Sequence, residues 1–436
     1  MNIENHPCFN PDACKSYGRV HLPVAPRCNI QCNFCNRKFD CVNESRPGVS
    51  SGILSPYQAM EYLKKVMAAK KNISVVGIAG PGDPFANPEE TLDTIKMVNE
   101  TWPDMLLCLA TNGLNLPDYL DEVAKVNVSH VSITVNAVDP VIGEKIYAWV
   151  RTGKKSLSPE KGARLLLERQ MESIKGLKER GIIVKVNTIV LPGINDHHVT
   201  RIAERMSQMG VDLLNCMPYY PNEGSNFSHL KEPSKQEIAK IQARAKKYIP
   251  QMMHCKRCRA DAVGMLDDAP DMSLLNSLQD CATLKEPTAV EIPETIPGAE
   301  KITGTTGILP YVAIATREGV LINQHLGEAT FLSIYDINKD TPTLIEHREM
   351  PEPGQKEFRW NAMAQKLADC HLILVSGVGN SPKRILTDKG YQILMVEGLI
   401  DEILMAVKNK QNMNHLIKRE PFRCDASCSG AGMGCM

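Results

Sequence analysis

The sequence predicts an α/β protein in two parts: a partial (β/α)6 TIM-like barrel, then a smaller mixed α/β domain. Three observations carry this. Between residues 20 and 217, strand-like apolar runs alternate with helix-length segments. The polar and glycine-rich turns fall after the strand runs rather than before them. At 436 residues, the chain exceeds one average domain and has room for a large core.

The strand candidates are residues 20–25, 73–78, 105–110, 130–135, 183–190 and 212–217. All are apolar and β-branched, with little alternation, as strands covered on both faces are. Between them lie helical patterns. Ser55-Pro56 supplies a cap followed by a proline at the first helical position, and Ser158-Pro159 does the same for a helix that puts Leu165, Leu166, Ile174 and Leu177 on one stripe before Gly181 stops it. The turns after the strands are the cysteine loop from Cys28, Gly80-Pro81-Gly82-Asp83, Thr111-Asn112-Gly113, Asn136-Ala137-Val138-Asp139, the stretch from Leu191 to Asp196, and Pro218-Tyr219-Tyr220-Pro221. Each alone is an ordinary turn. Together they form one rim, and parallel barrels place their chemistry at the strand C-termini.

Lys plus Arg equals Asp plus Glu, at 50 each, which gives no electrostatic reason to expect nucleic acid or an anionic membrane as partner. No long uncharged apolar window occurs, and Met1 to Pro7 has neither a basic segment nor an apolar core of the secretory kind, so a soluble, cytoplasmic protein is expected. Fifteen cysteines in that setting point to metal rather than disulfides, and most bunch at residues 8–41, at 255 and 258, and at 424–435.

Cys28, Cys32 and Cys35 are spaced three and then two residues apart. Three thiolates can hold three irons of a cubane and leave the fourth without a protein ligand, and an open iron can take a substrate or cofactor. A zinc site with its fourth ligand elsewhere is an alternative. A bacterial ferredoxin run would repeat its Cys-x-x-Cys spacing and end in Cys-Pro, which this stretch does not.

The neighbouring residues narrow the choice. Phe34 precedes the third cysteine, and the strand Ile73-Ser74-Val75-Val76-Gly77-Ile78 leads into Gly80-Pro81-Gly82-Asp83-Pro84. In these features the chain resembles the radical S-adenosylmethionine (SAM) enzymes, with Asp83 where their glycine-rich turn usually has Glu. The resemblance implies a barrel of the radical SAM type, a 4Fe-4S cluster on Cys28, Cys32 and Cys35, and SAM as cofactor. It implies that Gly80, Gly82 and Asp83 meet the amino and carboxylate groups of SAM, that Thr134 and Asn136 approach its ribose, and that Asn187 and Thr188 approach its adenosine. A polar residue at a strand end is otherwise a satisfied core or turn group.

More cysteines are present than that chemistry needs. Cys255 and Cys258 have the spacing that turns two thiolates to one metal; Cys8 and His21 could complete the set, while Cys14, Cys41 and Cys108 remain. Cys108 lies inside an apolar strand, where a small buried hydrophobe is an equal reading. With His6-Pro7-Cys8, this combination resembles the radical SAM enzymes that assemble the nitrogenase iron-molybdenum cofactor. That resemblance implies two further 4Fe-4S clusters, here assigned to Cys8, His21, Cys255 and Cys258 and to Cys14, Cys41 and Cys108. They would be substrates, fused with a SAM-derived carbide and an extra sulfur into an eight-iron core. The partners implied are iron-sulfur cluster donor and electron donor proteins and a downstream cofactor carrier or scaffold. Competing readings are a radical enzyme modifying a peptide or purine with auxiliary electron-transfer clusters, and a non-catalytic iron-sulfur scaffold.

The barrel with its N-terminal segment is thus expected over residues 1–260. Residues 261–310, with Asp267-Asp268, Pro287, Pro293, Pro297 and Pro310, read as an extended connector. Residues 311–420 read as a small mixed domain whose segment from Gly319 to Ala329 resembles domains that bind iron-molybdenum cofactor or its precursor, with His325 as a candidate contact. Gly377-Val378-Gly379-Asn380-Ser381-Pro382 has Pro where a dinucleotide loop needs its third Gly, so it reads as a plain strand-to-helix turn. The tail 421–436 carries Cys424, Cys428 and Cys435 among glycines and is read either as metal capture or as an end with incidental thiols.

Overall fold

A computed structural model describes residues 3–42, 49–153, 155–256, 258–284, 311–317, 319–352 and 356–409. It contains two compact units. The first is built on β1 (Gly18–His21), β2 (Ile73–Ile78), β3 (Leu106–Thr111), β4 (Val128–Thr134), β5 (Ile183–Val190) and β6 (Leu213–Pro218). Successive strands pair in parallel and in sequence order. The result is the expected partial (β/α)6 barrel, an open curled sheet with helices outside.

Expected and observed strands differ mainly at β1. The run at 20–25 stays buried but leaves the ladder after His21, because Pro23 has no N–H to donate and Val24 bonds back to the Leu22 carbonyl instead. The strands also depart from the all-apolar expectation. Arg19 and His21, Gly77, Cys108, Ser132, Lys185 and Asn187, and Asn215 share one period-2 face, the inside of the barrel. The outer face carries the main core, including Val20, Val76, Leu107, Val131, Val184 and Leu214.

Helix Pro56–Ala69 begins as the sequence indicates, with a capping box between Ser55 and Gln58. Helix Pro159–Glu179 buries Leu166, Ile174 and Leu177, and Gly181 terminates it at φ +72°, a conformation that favours glycine.

Residues 261–284, expected to be part of an extended connector, belong to the first unit instead. Val263–Gly264 adds an antiparallel strand to the free edge of β1. Helix Met272–Ala282, capped by Asp271, then buries Leu274, Leu278 and Cys281 against the barrel helices. The apolar spacing of four and then three residues is enough to hold a helix onto an existing core, although it is too short to stand out in sequence. Pro287, Pro293, Pro297 and Pro310 lie outside the described residues, as do Cys424, Cys428 and Cys435.

The second unit is a five-stranded mixed sheet in the order Thr343–Glu349, Phe331–Asp336, Tyr311–Ile314, Cys370–Val375, Gln392–Met395. Val312 and Ile314 share one core with Ile400, Ile403 and Leu404, while Ala313 shares the other with Trp360, Met363 and Leu386. Both faces are therefore covered by helices. Gly379 caps helix Asn380–Asp388, as a plain strand-to-helix turn requires.

Candidate functional site

The cysteine loop is fixed from three sides. Its segment Ile30–Cys32 pairs antiparallel with Tyr147–Thr152. Phe34, fully buried, anchors it among Ile30, Leu166 and Tyr219. The Gln31 side-chain amide donates to the Cys35 carbonyl at 2.8 Å and to the Cys32 carbonyl at 3.1 Å. Cys28, Cys32 and Cys35 then line one cleft with Cys41, Arg37, Gly82, Asp83, Asn112 and Thr134.

Arg37 suits this cleft to an anionic cluster. Burial works against its charge, yet the neighbouring Cys28 and Cys35 sulfurs outweigh that and hold the guanidinium protonated far above its usual range. Its buried Nε has no hydrogen-bond partner. Among the described residues, no three His, Cys, Asp or Glu side chains converge on a single ion. A cubane makes no such demand, since each thiolate meets a different iron.

The glycine-rich turn is welded to the chain after β1. Gly82 N–H donates to the Ala25 carbonyl at 2.6 Å, Asp83 N–H to the Arg27 carbonyl at 2.7 Å, and Cys41 N–H to the Pro81 carbonyl at 2.9 Å. A Cβ on Gly82 would sit 2.1 Å from the Arg27 oxygen. The Asp83 carboxylate is engaged within the protein: it accepts from Thr111 Oγ1 at 2.9 Å and from the Phe85 and Asn112 backbone N–H groups at 2.9 and 2.6 Å.

Deeper in the barrel lies a second cavity of about 640 Å³, part of it open to solvent, with Cys8, His21, Cys108, Cys255 and Cys258 on its walls. Burial, then the Arg19 charge, lower the His21 pKa to about 4, so its imidazole is neutral at pH 7. Nδ1 lies 3.1 Å from the Arg259 carbonyl, which can only accept. The proton therefore sits on Nδ1 and the Nε2 lone pair is left for a metal, the arrangement usual for ligating histidines. Gly77 makes room for that ring: a Cβ there would lie 3.1 Å from His21 Cδ2.

The predicted residues divide accordingly. Cys8, His21, Cys255 and Cys258 share the barrel cavity. Cys14, Cys41 and Cys108 do not share a wall: Cys108 lies on the barrel cavity, Cys41 on the cleft, and Cys14 on the N-terminal segment, its Sγ 2.9 Å from the Pro11 carbonyl. Of the residues placed at ribose and adenosine, Thr134 lines the cleft and Asn187 the cavity. Asn136 Oδ1 accepts from Ile189 N–H at 2.9 Å and Thr188 Oγ1 donates to the Val135 carbonyl at 2.7 Å, so both brace β4 against β5. Sequence reasoning missed Arg19, Arg37 and Lys185, and it quoted His6 within His6-Pro7-Cys8 without giving it a role. For Arg19 and Lys185 the available signal was a charge two residues from another polar group, Arg19 with His21 and Lys185 with Asn187, on strands otherwise apolar.

A thiol triad at the mouth of an open parallel half-barrel defines a radical SAM protein, and the radical SAM superfamily profile matches residues 22–206. That membership brings one 4Fe-4S cluster and SAM as cofactors. A second profile, described as dinitrogenase iron-molybdenum cofactor, matches residues 310–410. FeMo cofactor biosynthesis protein NifB of Chlorobaculum tepidum is 48% identical over 100% of this chain and 99% of its own length. The NifB proteins of Azotobacter vinelandii and Frankia alni are 38% and 37% identical, each over 93% of this chain and over 88% and 87% of their own lengths. The chain belongs to the NifB family, radical SAM enzymes of FeMo cofactor biosynthesis. Among the described residues, no helix is long and apolar enough to cross a membrane.

Proposed function

We propose that this chain fuses two 4Fe-4S clusters, inserting a SAM-derived carbide and one extra sulfur, to give the eight-iron precursor of the iron-molybdenum cofactor. The observation behind this reading is the adjacency of two thiol-lined hollows: the cleft of Cys28, Cys32 and Cys35 and the cavity of Cys8, His21, Cys108, Cys255 and Cys258 share Ala110 at the end of β3. Bound in the cleft, the resident cluster and SAM would supply a methyl group and a 5′-deoxyadenosyl radical.

The chain's own residues then have distinct tasks. Arg37 balances the charge of the triad, and the turn at Gly80 and Gly82 with Thr134 shapes the SAM end of the cleft. Asp83 and Asn112 keep that turn fixed to β3. In the cavity, the substrate clusters are held by thiolates and by His21, a weaker hold on iron, which suits ligands that must let go. The second unit, with His325, holds product for a downstream carrier, while separate donor proteins supply clusters and electrons.

The test is anaerobic turnover with dithionite and SAM on protein loaded with iron and sulfide. Formation of S-adenosylhomocysteine and 5′-deoxyadenosine together with loss of the protein-bound cubane signals supports the reading. The Cys28/Cys32/Cys35 triple-Ala protein should retain iron yet cleave no SAM. Iron-free triple-Ala protein would remove the substrate clusters from the scheme.

A further inference from the structure

Arg37 is the one cation on the walls of the cysteine cleft among the described residues. It lies two residues past Cys35, and its guanidinium turns back across the loop to donate to the carbonyl of Ile30, which stands between the first and second cysteines. Burial opposes its charge, and the Cys28 sulfur, then that of Cys35, answers it. Asp83, the carboxylate that shares the cleft, is taken up by Thr111 and by the Phe85 and Asn112 backbone N–H groups. Arg27, next to Cys28 in the chain, is paired with Glu90.

Three side-chain N–H donors belong to this loop and its neighbour. Arg37 Nε is buried and has no hydrogen-bond partner among the described residues, and neither has Asn29 Nδ2, on a residue that follows Cys28 and is 7% exposed. Asn112 Nδ2 donates to Asn29 Oδ1 at 2.7 Å and lies 3.7 Å from Cys28 Sγ. A buried N–H without an acceptor is costly, and a redox role is one of the few reasons to keep it. Sulfur is the acceptor that this loop brings to them.

We infer that Arg37, assisted by the amides of Asn29 and Asn112, donates to the sulfurs of the 4Fe-4S cluster on Cys28, Cys32 and Cys35 and so sets the potential at which that cluster accepts an electron. This goes beyond the fusion reaction and stands whether or not further clusters are substrates. Positive charge and N–H···S contacts favour the reduced, more negative cluster over the oxidised one, and so raise its potential. SAM cleavage starts from the electron that the cluster takes from an external reductant, dithionite in vitro. Arg37 therefore decides what fraction of the protein is reduced at a given donor potential.

The experiment uses the full chain, reconstituted anaerobically with iron and sulfide, in a redox titration followed by EPR. The signal read is the one that SAM perturbs on mixing, which marks the cluster with an open iron. Arg37→Met is expected to lower its midpoint so that the reduced-to-oxidised ratio at fixed potential falls about tenfold, which is ~59 mV for one electron. Arg37→Lys keeps the charge and should recover most of that shift, and SAM affinity should stay near that of the parent in both. Circular dichroism and iron content control for folding. If Arg37→Met carries no cluster, Arg37→Gln, which keeps a polar head for the Ile30 carbonyl, takes its place with the same expected direction. An unmoved midpoint, or one that falls equally in Arg37→Met and Arg37→Lys, overturns the inference. Weaker SAM binding at an unmoved midpoint overturns it too, because the guanidinium then serves the SAM carboxylate. Absence of the cluster from all three variants overturns it as well and makes Arg37 part of the loop's framework alone.

Discussion

The Asp83 carboxylate accepts the Asn112 backbone N–H at 2.6 Å, tying the turn after β2 to the loop after β3. The same Asn112 places its side-chain amide 2.7 Å from Asn29 Oδ1 and 3.7 Å from Cys28 Sγ. One carboxylate therefore sets the position of Cys28, the first thiol of the triad, through a single intermediate. Asp83→Asn puts an amide before at least one N–H donor that needs an acceptor. The expected cost is about 1.5–3 kcal/mol of stability, the range for hydrogen bonds to a charged group, with a parallel loss of SAM cleavage. Urea denaturation checks it. If Asp83 served only to bind SAM, the KM would rise and the denaturation midpoint would stay where it is.

Gly82→Ala should be more severe. The added Cβ would meet backbone, the Arg27 carbonyl at 2.1 Å, and backbone held by the Asp83 N–H bond cannot swing aside as a side-chain tip can. A loss of about 3 kcal/mol or more, or no soluble protein, is expected, against a mild effect from Gly193→Ala, where no atom lies within 4 Å and only the left-handed φ of +74° is strained. Thermal denaturation of the two variants side by side gives the comparison.

Much of this was legible in the sequence because it depends on local spacing. The cysteine triad, the turns after the strands, the Ser-Pro helix starts and the pair Cys255/Cys258 each declare themselves within a few residues. Arg19 and Lys185 did not, since a single charge in an apolar strand is seen as luminal only once the barrel's curvature says which face is inside. The relation of Cys41 to the cleft and of Cys108 to the cavity is equally non-local: β3 brings Cys108 to the cavity through its register with Gly77, whereas Cys41 is held by the Pro81 carbonyl. Helix Met272–Ala282 escaped notice for a different reason, having too few apolar residues to form without the core that receives them.

The barrel interior should also make the apo protein acid-sensitive. Burial first, then the Lys185 charge, lower His130 from its ordinary 6.5 to about 3, while Asp212 pulls the other way. A depressed folded pKa means that the group's contribution is fully present above pH 6.5 and is lost as pH falls toward 3. His130 is packed between His6 and Phe9, with ring centroids 4.3 and 4.5 Å away, and its Nδ1 lies 2.8 Å from Ser129 Oγ. The urea midpoint of metal-free protein should decline between pH 6.5 and pH 4, a window set by these values. His130→Asn should decline less steeply while starting lower at pH 7. Equal slopes for the two proteins would mean that His130 is not what titrates.

In the second unit, Arg359 is 2% exposed and, among the described residues, has no carboxylate beside it; its guanidinium donates to three carbonyls, Pro351 at 2.8 Å, Gly327 at 2.5 Å and Ala329 at 2.6 Å. Gly327 lies within and Ala329 at the C-terminal end of the 3₁₀ turn Leu326–Glu328, which His325 caps through its Nδ1, accepting the Gly327 N–H at 3.0 Å. Burial pulls the Arg359 pKa down, but a guanidinium remains charged at any physiological pH. Its cost is met by the three carbonyls and by the Trp360 ring 4.9 Å away. Arg359→Leu fills similar space and leaves all three carbonyls buried without their donor. A loss of about 3–5 kcal/mol confined to this unit is expected. Calorimetry would show the transition of the second unit moving to lower temperature with that of the barrel unmoved. Lys in place of Arg should recover only part of the loss, because an ammonium cannot span three carbonyls with the planar fork that a guanidinium provides.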